Sequence, residues 1–246
     1  MKRLGLIGKH ISYSFSKGYF TEKFKKEDLD FSYENFDLEL INEFPRLLNS
    51  QSDIIGFNVT IPYKEAIIPY LDNLSKKAKK IGAVNTIRIT KKGKLKGYNT
   101  DFYGFSESLK PFLKKHHKKA LILGTGGASK AISFALKKHS IKHDYVSRNR
   151  KANVKFTYDS LTKETIASYQ IIINCTPLGT YPKVNDCPPI PYDGISDQHL
   201  LYDLIYNPEE TKFLRIGKSQ GAQVTNGYKM LIYQAEKAWD IWNKVN

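Results

Sequence analysis

Cysteine is scarce in this sequence, which contains only Cys175 and Cys187 among 246 residues. Two cysteines cannot build the disulfide framework of a small secreted protein, so we expect a reducing compartment, the cytoplasm. No stretch approaches the roughly 18–20 apolar residues that a membrane-spanning helix needs. The six histidines show no ligand spacing with Cys, Asp or Glu. We therefore predict no metal site and no membrane association.

Acidic residues are outnumbered: 24 Asp and Glu stand against 39 Lys and Arg, which gives a formal net charge of +15. The lysines cluster within 76–80, 91–92 and 114–119. Such clusters could bind the phosphates of a nucleic acid, or they could be solvated helix faces. We favour the second interpretation, because lysine dominates over arginine and no nucleic-acid-binding motif accompanies the clusters. A positive field could still attract an anionic substrate and cofactor.

The length allows one large domain or two modest ones, each with a hydrophobic core. In the first part of the chain, 4–8 and 54–61 are predicted to be buried strands, and 83–98 a hairpin with a glycine turn. Helical spacing is found at 64–74, despite Pro69.

The pattern changes at residue 120, where short apolar strands begin to alternate with helices. This alternation is typical of a Rossmann-like sheet of parallel strands. The predicted strands are 120–123, 143–147, 171–173 and 200–205, and the first helix is 128–138. The C-terminal segment has one apolar helical stripe, formed by Leu231, Ala235, Ala238 and Trp242.

A glycine-rich turn follows the predicted strand 120–123. Gly124 and Gly126 would let the backbone approach a pyrophosphate, which would then lie on the N–H groups that open the next helix. Ser129 replaces the third glycine of the usual fingerprint, and a glycine turn can also simply join a strand to a helix. Arg148 follows the next strand, where an NAD site usually has an acidic residue. Its planar fork suits a 2′-phosphate, so NADP is favoured over NAD.

Polar side chains stand at the ends of other extended segments. Lys64 follows the strand 54–61 and Asp101 follows the hairpin, so the two could meet in a cleft. A lysine beside a carboxylate can hold or pass a proton at a reacting oxygen, although a surface lysine and a helix-capping aspartate are the structural alternatives. The side chains of Ser14 and Ser16 point the same way if their loop is extended, and two hydroxyls can donate hydrogen bonds to one carboxylate.

Eight short motifs occur along the chain in a fixed order. The first four are Ser14-x-Ser16, Asn58-Val59-Thr60-x-Pro62-x-Lys64, Gly82-Ala83-Val84-Asn85-Thr86 and Asn99-Thr100-Asp101-x-x-Gly104. The last four are Gly124-x-Gly126-Gly127-Ala128, Asn174-Cys175-Thr176-Pro177-Leu178-Gly179, Asp203-x-x-Tyr206-Asn207-Pro208 and Gly227-x-x-Met230-Leu231-x-x-Gln234-Ala235. Through these motifs the chain resembles the shikimate dehydrogenase family from near residue 5 to Trp242.

The resemblance implies an α/β enzyme of two domains separated by a cleft. A substrate-binding and catalytic domain would comprise 1–101 plus 227–246, and a Rossmann-like NADP-binding domain would comprise 102–226. The implied reaction is the reversible reduction of 3-dehydroshikimate to shikimate by NADPH, with Lys64 and Asp101 as the acid/base pair. The implied substrate-binding residues are Ser14, Ser16, Thr60, Asn85, Tyr206 and Gln234. The implied cofactor-binding residues are Gly124, Gly126, Gly127, Ala128, Arg148, Thr176, Leu178, Gly227 and Met230.

The sequence departs from the family pattern near the paired serines, where His10, Lys17 and Phe20 replace proline, proline and histidine. Three alternatives remain: a quinate/shikimate dehydrogenase with relaxed substrate or NAD use, a non-catalytic ligand sensor, and a basic nucleic-acid-binding protein. Retention of both Lys64 and Asp101 argues against the sensor. We expect a small-molecule substrate, no nucleic acid, and a monomer or homodimer.

Overall fold

A computed structural model describes residues 1–12, 14–50, 53–150 and 152–243. The chain forms two compact units, which are Met1–Thr100 with Ala235–Asn246, and Asp101–Gln234. The boundaries that we predicted lay after Asp101 and before Gly227. Within the described ranges, no helix has both the length and the apolar character that crossing a membrane requires.

The first unit is built on a six-stranded mixed sheet with the strand order β2-β1-β3-β5-β6-β4. Its first three strands are parallel, and β5 and β6 continue the sheet as an antiparallel hairpin, as predicted for 83–98. The strands are β1 Lys2–Gly8, β2 Phe31–Asp37, β3 Ile54–Val59, β4 Asn73–Leu74, β5 Thr86–Ile89 and β6 Leu95–Tyr98. The helices are α1 Phe15–Lys26, α2 Phe44–Asn49 and α3 Lys76–Ile81.

Both faces of this sheet are covered by apolar side chains. Along β1, Leu4 and Leu6 belong to one hydrophobic cluster and Ile7 belongs to another, as the two-residue period of a strand requires. Phe20 of α1 is fully buried in the first of these clusters, where its ring lies 5.4 Å from that of Trp242. The departure from the family pattern at residue 20 therefore supplies a core residue.

The helix predicted over 64–74 is wrong. The chain makes a series of turns, then a 3₁₀ helix at Ile68–Tyr70 and the short strand β4. Proline has no N–H to give to a helical hydrogen bond, and its ring clashes with the preceding turn. The N–H of Ile68 instead donates to the carbonyl of Glu65 at 3.1 Å, and that of Tyr70 donates to Ile67 at 3.0 Å.

The second unit contains the predicted Rossmann-like sheet. Its six strands are all parallel in the order β12-β11-β10-β7-β8-β9. The strand order reverses between β7 and β10, and ligands of such sheets bind at the carboxyl ends of strands beside this point. The strands are β7 Lys119–Leu123, β8 Lys142–Ser147, β9 Phe156–Thr157, β10 Ile171–Asn174, β11 Leu200–Asp203 and β12 Gln223–Thr225. The helices are α4 Asp101–Leu109, α5 Gly127–Lys138, α6 Lys163–Ala167 and α7 Lys212–Ser219. Helix α8 Tyr228–Trp242 begins in this unit, and its residues from Ala235 onward belong to the first.

The central strands of this sheet explain why it was predictable from sequence. Parallel strands are covered on both faces, so they are continuous apolar runs. Leu121, Ile122 and Leu123 of β7 are fully buried, and so are the three isoleucines of β10. Helix α4 ends at Leu109, two residues before Pro111, because a proline disfavours the helical conformation in the residue that precedes it.

Candidate active site

Two buried asparagines stand at neighbouring positions of the first sheet. Asn58 lies near the end of β3 with 4% exposure, and Asn85 lies just before β5 with 3% exposure. The amide nitrogen of Asn58 donates to the backbone carbonyl of Asn85 at 3.1 Å and to Oγ1 of Thr86 at 3.2 Å. The backbone N–H of Thr100 donates to Oδ1 of Asn85 at 2.6 Å. Because an unpartnered buried amide is costly, these contacts fix the orientation of both side chains.

Thr60 and Lys64 lie in the turn that follows β3. The backbone N–H of Thr60 donates to Ile7 at 2.8 Å, and the carbonyl of Lys64 accepts a 2.7 Å hydrogen bond from Val84. This second bond ties the turn to the Gly82–Thr86 motif. Thr60 and Lys64 are both half-buried. The fold therefore brings Thr60, Lys64 and Asn85 to one end of the first sheet.

The paired serines are arranged differently from the sequence-based expectation. We reasoned from an extended loop, whereas α1 begins at Phe15. Ser14 is the N-cap of this helix, and its hydroxyl accepts a 3.4 Å hydrogen bond from the N–H of Lys17. Ser16 lies in the first turn of this helix and is half-buried. The two side chains therefore do not project from one face of an extended segment, and their role in binding substrate stays a prediction.

Asp101 is the first residue of α4 and is 6% exposed. It belongs to the second unit, whereas Lys64 belongs to the first. A carboxylate at a helix N-terminus is stabilised by the exposed N–H groups of the first turn. The pairing of Lys64 with Asp101 stays a prediction.

The glycine-rich turn joins β7 to α5. Gly124 has a φ of +101°, which only glycine adopts readily. Gly126 is the N-cap of α5, and a Cβ added to it would meet no atom within 4 Å. The backbone here is thus open to a ligand, with Gly127 and Ala128 in the first turn of the helix. Ser129, in place of the third glycine, turns its hydroxyl back to the carbonyl of Gly126 at 2.7 Å.

Arg148 follows the last residue of β8 and is exposed. It lies in the second unit, as do Gly124 and Gly126. The strand β8 pairs with β7, the strand that leads into the glycine turn. The carboxyl ends of these parallel strands share one edge of the sheet, so Arg148 and the turn lie at that edge. This arrangement suits a dinucleotide with an additional phosphate.

A buried polar cluster shapes the loops after β10 and β11. Oδ1 of Asn174 accepts hydrogen bonds from the hydroxyl of Thr176 at 2.6 Å and from its N–H at 2.9 Å. The amide nitrogen of Asn174 donates to the carboxylate of Asp203 at 3.0 Å and to the carbonyl of Leu178 at 3.3 Å. Thr211 donates to the other oxygen of Asp203 at 2.6 Å. The positions of Thr176 and Leu178 thus depend on a carboxylate that has no exposed surface.

The electrostatics of Asp203 are dominated by its burial. The pKa of Asp203 is raised to about 6, because burial raises it by more than the hydrogen bonds from Thr211, Ile205 and Asn174 lower it. Asp203 was predicted only as a member of a motif, without a role of its own. A usable signal was present, because an aspartate directly after three apolar strand residues is costly without partners.

Gly227 permits a close approach between the end of β11 and the start of α8. A Cβ at this position would lie 2.1 Å from the carbonyl oxygen of Leu204. The N–H of Gly227 donates to Ile205 at 3.0 Å. Helix α8 then carries Met230 and Gln234, each 6% exposed. Tyr206, after β11, is half-buried.

Among the described residues, no group of three or more His, Cys, Asp or Glu side chains could hold a metal ion. Thr60, Lys64 and Asn85 offer a hydroxyl, an ammonium group and an amide at one end of the first sheet. Such groups can bind a polyol and transfer a proton.

Comparison with known proteins identifies similarity to the shikimate dehydrogenases. Residues 6–87 match the family model described as the shikimate dehydrogenase substrate binding domain. The chain is 43% identical to an NADP⁺ shikimate dehydrogenase of Clostridium beijerinckii, over 99% of this chain and 93% of the relative. It is 40% identical to an NADP⁺ shikimate dehydrogenase of Methanosphaera stadtmanae, over 97% of this chain and 90% of the relative. The crystal structure of a Thermus thermophilus shikimate 5-dehydrogenase in complex with NADP(H) and shikimate is 30% identical. It superimposes with a TM-score of 0.88 over 100% of this chain and 94% of that chain.

Proposed function

This chain belongs to the shikimate dehydrogenase family, and we propose which residues of each unit bind its substrate and its cofactor. The protein is an NADP-dependent oxidoreductase that interconverts 3-dehydroshikimate and shikimate. The observation that carries this conclusion is a relationship of 43% identity over 99% of the chain. The proposal concerns the residues: the first unit supplies most of the substrate contacts, and the second unit supplies the cofactor contacts.

Lys64 and Asp101 are the proposed acid/base pair. During reduction, Lys64 gives a proton from its ammonium group to the carbonyl oxygen of 3-dehydroshikimate as the carbonyl carbon accepts a hydride. In the reverse direction, Lys64 takes the proton of the shikimate hydroxyl. Asp101 accepts a hydrogen bond from Lys64 and holds it in position. General acid/base catalysis of this kind is typically worth about 10² to 10⁴ in rate.

Ser14, Ser16 and Tyr206 are the proposed partners of the substrate carboxylate. Thr60, Asn85, Asp101 and Gln234 are proposed to bond the ring hydroxyls. Asn85 suits this role because its amide is held in one orientation by Thr100. Hydroxyl and amide groups that are fixed in place can reject analogues whose polar groups do not match.

The second unit fits NADP at the turn between β7 and α5. Gly126 leaves open space where a side chain would stand, which a pyrophosphate requires. We propose that Arg148 binds the 2′-phosphate. NADPH supplies the hydride when it is bound. Further proposed cofactor contacts come from Gly124, Gly127, Ala128, Thr176, Leu178, Gly227 and Met230.

We further propose that the protein acts on its small-molecule substrate without nucleic acid, as a monomer or homodimer. Cys175 and Cys187 are both free thiols, which favours a reducing compartment such as the cytoplasm. Light scattering of the purified protein measures the oligomeric state. Salt-dependent retention on DNA would contradict the proposed absence of nucleic-acid binding.

The test of the function is nicotinamide absorbance with purified protein and four pairs of reactants: shikimate or quinate, each with NADP or NAD. We expect rapid turnover only with shikimate and NADP. Comparable rates with quinate or NAD would place the protein among quinate/shikimate dehydrogenases of broader use. No turnover with any pair would contradict the function.

A further inference from the structure

A series of hydrogen bonds joins a buried carboxylate to the loop after β10. Asn174, the last residue of β10, is fully buried, and its amide nitrogen donates to Oδ1 of Asp203 at 3.0 Å. Its own Oδ1 accepts two hydrogen bonds from Thr176, one from the N–H at 2.9 Å and one from the hydroxyl at 2.6 Å. The amide of Asn174 thus stands between Asp203 and Thr176 and is bonded to both.

These partners allow the amide of Asn174 only one orientation. An ionised carboxylate accepts hydrogen bonds and cannot donate them, whereas a backbone N–H can only donate. The amide nitrogen must therefore face Asp203, and the amide oxygen must face the N–H of Thr176. The carboxylate is itself held in place, because Oδ1 accepts the N–H of Ile205 at 3.0 Å and Oδ2 accepts the hydroxyl of Thr211 at 2.6 Å. Asp203 thus sets the direction in which Asn174 presents its oxygen.

This orientation uses both of the protons that Thr176 could offer to a ligand. The hydroxyl oxygen lies 2.6 Å from the amide oxygen of Asn174, which has no proton, so the hydroxyl must donate. The N–H of Thr176 donates to the same oxygen. Oγ1 also accepts the N–H of Leu178 at 3.3 Å, which leaves it one lone pair. What the half-buried Thr176 can offer to a ligand is therefore a hydrogen-bond acceptor.

The position of Thr176 in the sheet indicates which half of a dinucleotide it would meet. The strand β7, which leads into the glycine turn, has β8 on one side and β10 on the other. Arg148, the proposed partner of the 2′-phosphate on the adenosine half, follows β8. Thr176 follows β10, and its Cγ2 would lie 3.1 Å from a Cβ on Gly124. A dinucleotide whose pyrophosphate lies at the turn would therefore place its nicotinamide half beside Thr176.

We propose that Thr176 binds the nicotinamide half of NADP as a hydrogen-bond acceptor, and that Asp203 is a positioning residue that imposes this polarity through Asn174. The inference rests on the proposed function, which assigns Thr176 to the cofactor. The partner of Thr176 is a donor, either a hydroxyl of the nicotinamide ribose or the carboxamide N–H. It is not a phosphate, whose oxygens only accept. If Asn174 and Asp203 merely satisfied each other, their loss would affect stability and leave NADP affinity unchanged.

The test is the dissociation constant of three ligands, measured by calorimetry without a second substrate, at a pH well above the pKa of Asp203. The ligands are NADP, 2′-phospho-ADP-ribose, which lacks the nicotinamide, and 2′-phospho-ADP, which keeps the pyrophosphate and lacks the nicotinamide ribose as well. Thr176→Val keeps the shape of the side chain and removes its acceptor. We expect this variant to bind NADP about 3- to 10-fold more weakly, and to bind 2′-phospho-ADP as the wild type does. Thr176→Ser, which keeps the hydroxyl, should restore the affinity for NADP.

The ligand of intermediate length identifies the donor. If Thr176→Val also weakens the binding of 2′-phospho-ADP-ribose, the donor is a ribose hydroxyl, and if it weakens NADP alone, the donor is the carboxamide. Both results support the proposal. An equal loss with 2′-phospho-ADP would place the partner among the phosphates or in the adenosine half and would overturn the proposal. Unchanged NADP affinity in Thr176→Val would overturn it as well.

The matched control for the loss of a hydroxyl is Thr165→Val in the same unit. Thr165 is a half-buried threonine of α6, and its hydroxyl lies 3.2 Å from that of Thr162. This variant makes the same chemical change without entering the hydrogen bonds between Asp203 and Thr176. It should bind all three ligands as the wild type does.

A second set of variants tests the role of Asp203. Asp203→Leu removes both carboxylate oxygens and lets the amide of Asn174 turn, so NADP affinity should fall by a similar factor. Asp203→Asn keeps an oxygen for Asn174 and should restore it. Unchanged NADP affinity in Asp203→Leu would refute the role of Asp203, and the Thr176 variants still test the polarity if this variant does not fold. Binding of NADP without turnover by the wild type would refute the proposed function and leave the result on Thr176 standing. No binding of NADP at all would refute both.

Discussion

In the first unit, Asn58 and Asn85 are held by hydroxyls, amides and backbone groups, whereas in the second unit Asn174 is held by the buried carboxylate of Asp203. Both arrangements orient an asparagine at the end of a strand. Neutral partners keep their donor and acceptor roles over a wide range of pH, but a buried carboxylate changes role when it is protonated. The proposed substrate contacts should therefore be less sensitive to pH than the proposed cofactor contacts at Thr176.

The largest expected effect concerns the proposed proton donor, Lys64, which belongs to neither of these two hydrogen-bonded arrangements. Lys64→Ala should reduce kcat by about 10² to 10⁴, because the carbonyl oxygen loses its proton donor. Shikimate affinity in the presence of NADPH should change much less. Steady-state kinetics and calorimetry measure the two quantities. Lys96→Ala is the control, since Lys96 is a half-buried lysine of the same unit, 5.7 Å from the ring of Tyr98. Near-normal turnover in Lys64→Ala would refute the assignment.

The second prediction concerns the carboxylate in the second unit. An aspartate has a pKa of about 3.9 in an unfolded chain, and burial raises that of Asp203 to about 6. The folded state therefore binds more protons in this interval, and its free energy of unfolding falls as the pH rises. The total contribution is about 3 kcal/mol, of which about 2 kcal/mol falls between pH 4 and pH 7.

Asp203→Asn should abolish this dependence, so its unfolding free energy relative to wild type should rise by about 2 kcal/mol from pH 4 to pH 7. The difference between proteins must be used, because burial lowers the pKa of His117 to about 4 and gives a slope of opposite sign. Denaturant unfolding at both pH values measures it. The exposed Asp197 supplies the control variant Asp197→Asn. If the free energy of unfolding had the same pH dependence in the wild type and in Asp203→Asn, the raised pKa of Asp203 would be contradicted.

The third prediction distinguishes two glycines of the second unit. Gly227→Ala places a Cβ 2.1 Å from the carbonyl oxygen of Leu204, a backbone atom that cannot move aside easily. We expect a loss of about 1–3 kcal/mol in the free energy of unfolding. Gly126→Ala meets no atom within 4 Å, so stability should be kept while NADP affinity falls. Thermal unfolding and NADP titration of both variants measure the two effects. A loss of stability in Gly126→Ala together with unchanged stability in Gly227→Ala would contradict this prediction.

The sequence predicted the second sheet better than the first. Strands such as β7 and β10 are short, fully buried apolar runs, which single-sequence patterns identify well. In the first unit, α1 occupies a segment that we interpreted as a loop with paired serines, and the helix predicted over 64–74 fails at Pro69. Pro69 was a local signal against that helix, whereas the first turn of α1 at Phe15 has no apolar periodicity of its own to mark it.

The motifs identified candidate site residues, but not the hydrogen bonds that fix the positions of their side chains. Tyr33 and Asn58 lie 25 residues apart in sequence, and Asn174 and Asp203 lie 29 residues apart. Such contacts depend on strand order and register, which are properties of the folded sheet. Buried polar residues at strand ends were the available signal. It marked Asn85 and left Tyr33 and Asp203 without a role.

The most direct test of the division between the units is a two-by-two set of Michaelis constants. Ser16→Ala changes the first unit and Arg148→Ala changes the second, and KM is measured for shikimate and for NADP in each. We expect Ser16→Ala to raise KM for shikimate alone, and Arg148→Ala to raise KM for NADP alone, each by about 10-fold. If either variant raised both constants equally, or if the two effects were exchanged, the proposed division of labour would be refuted.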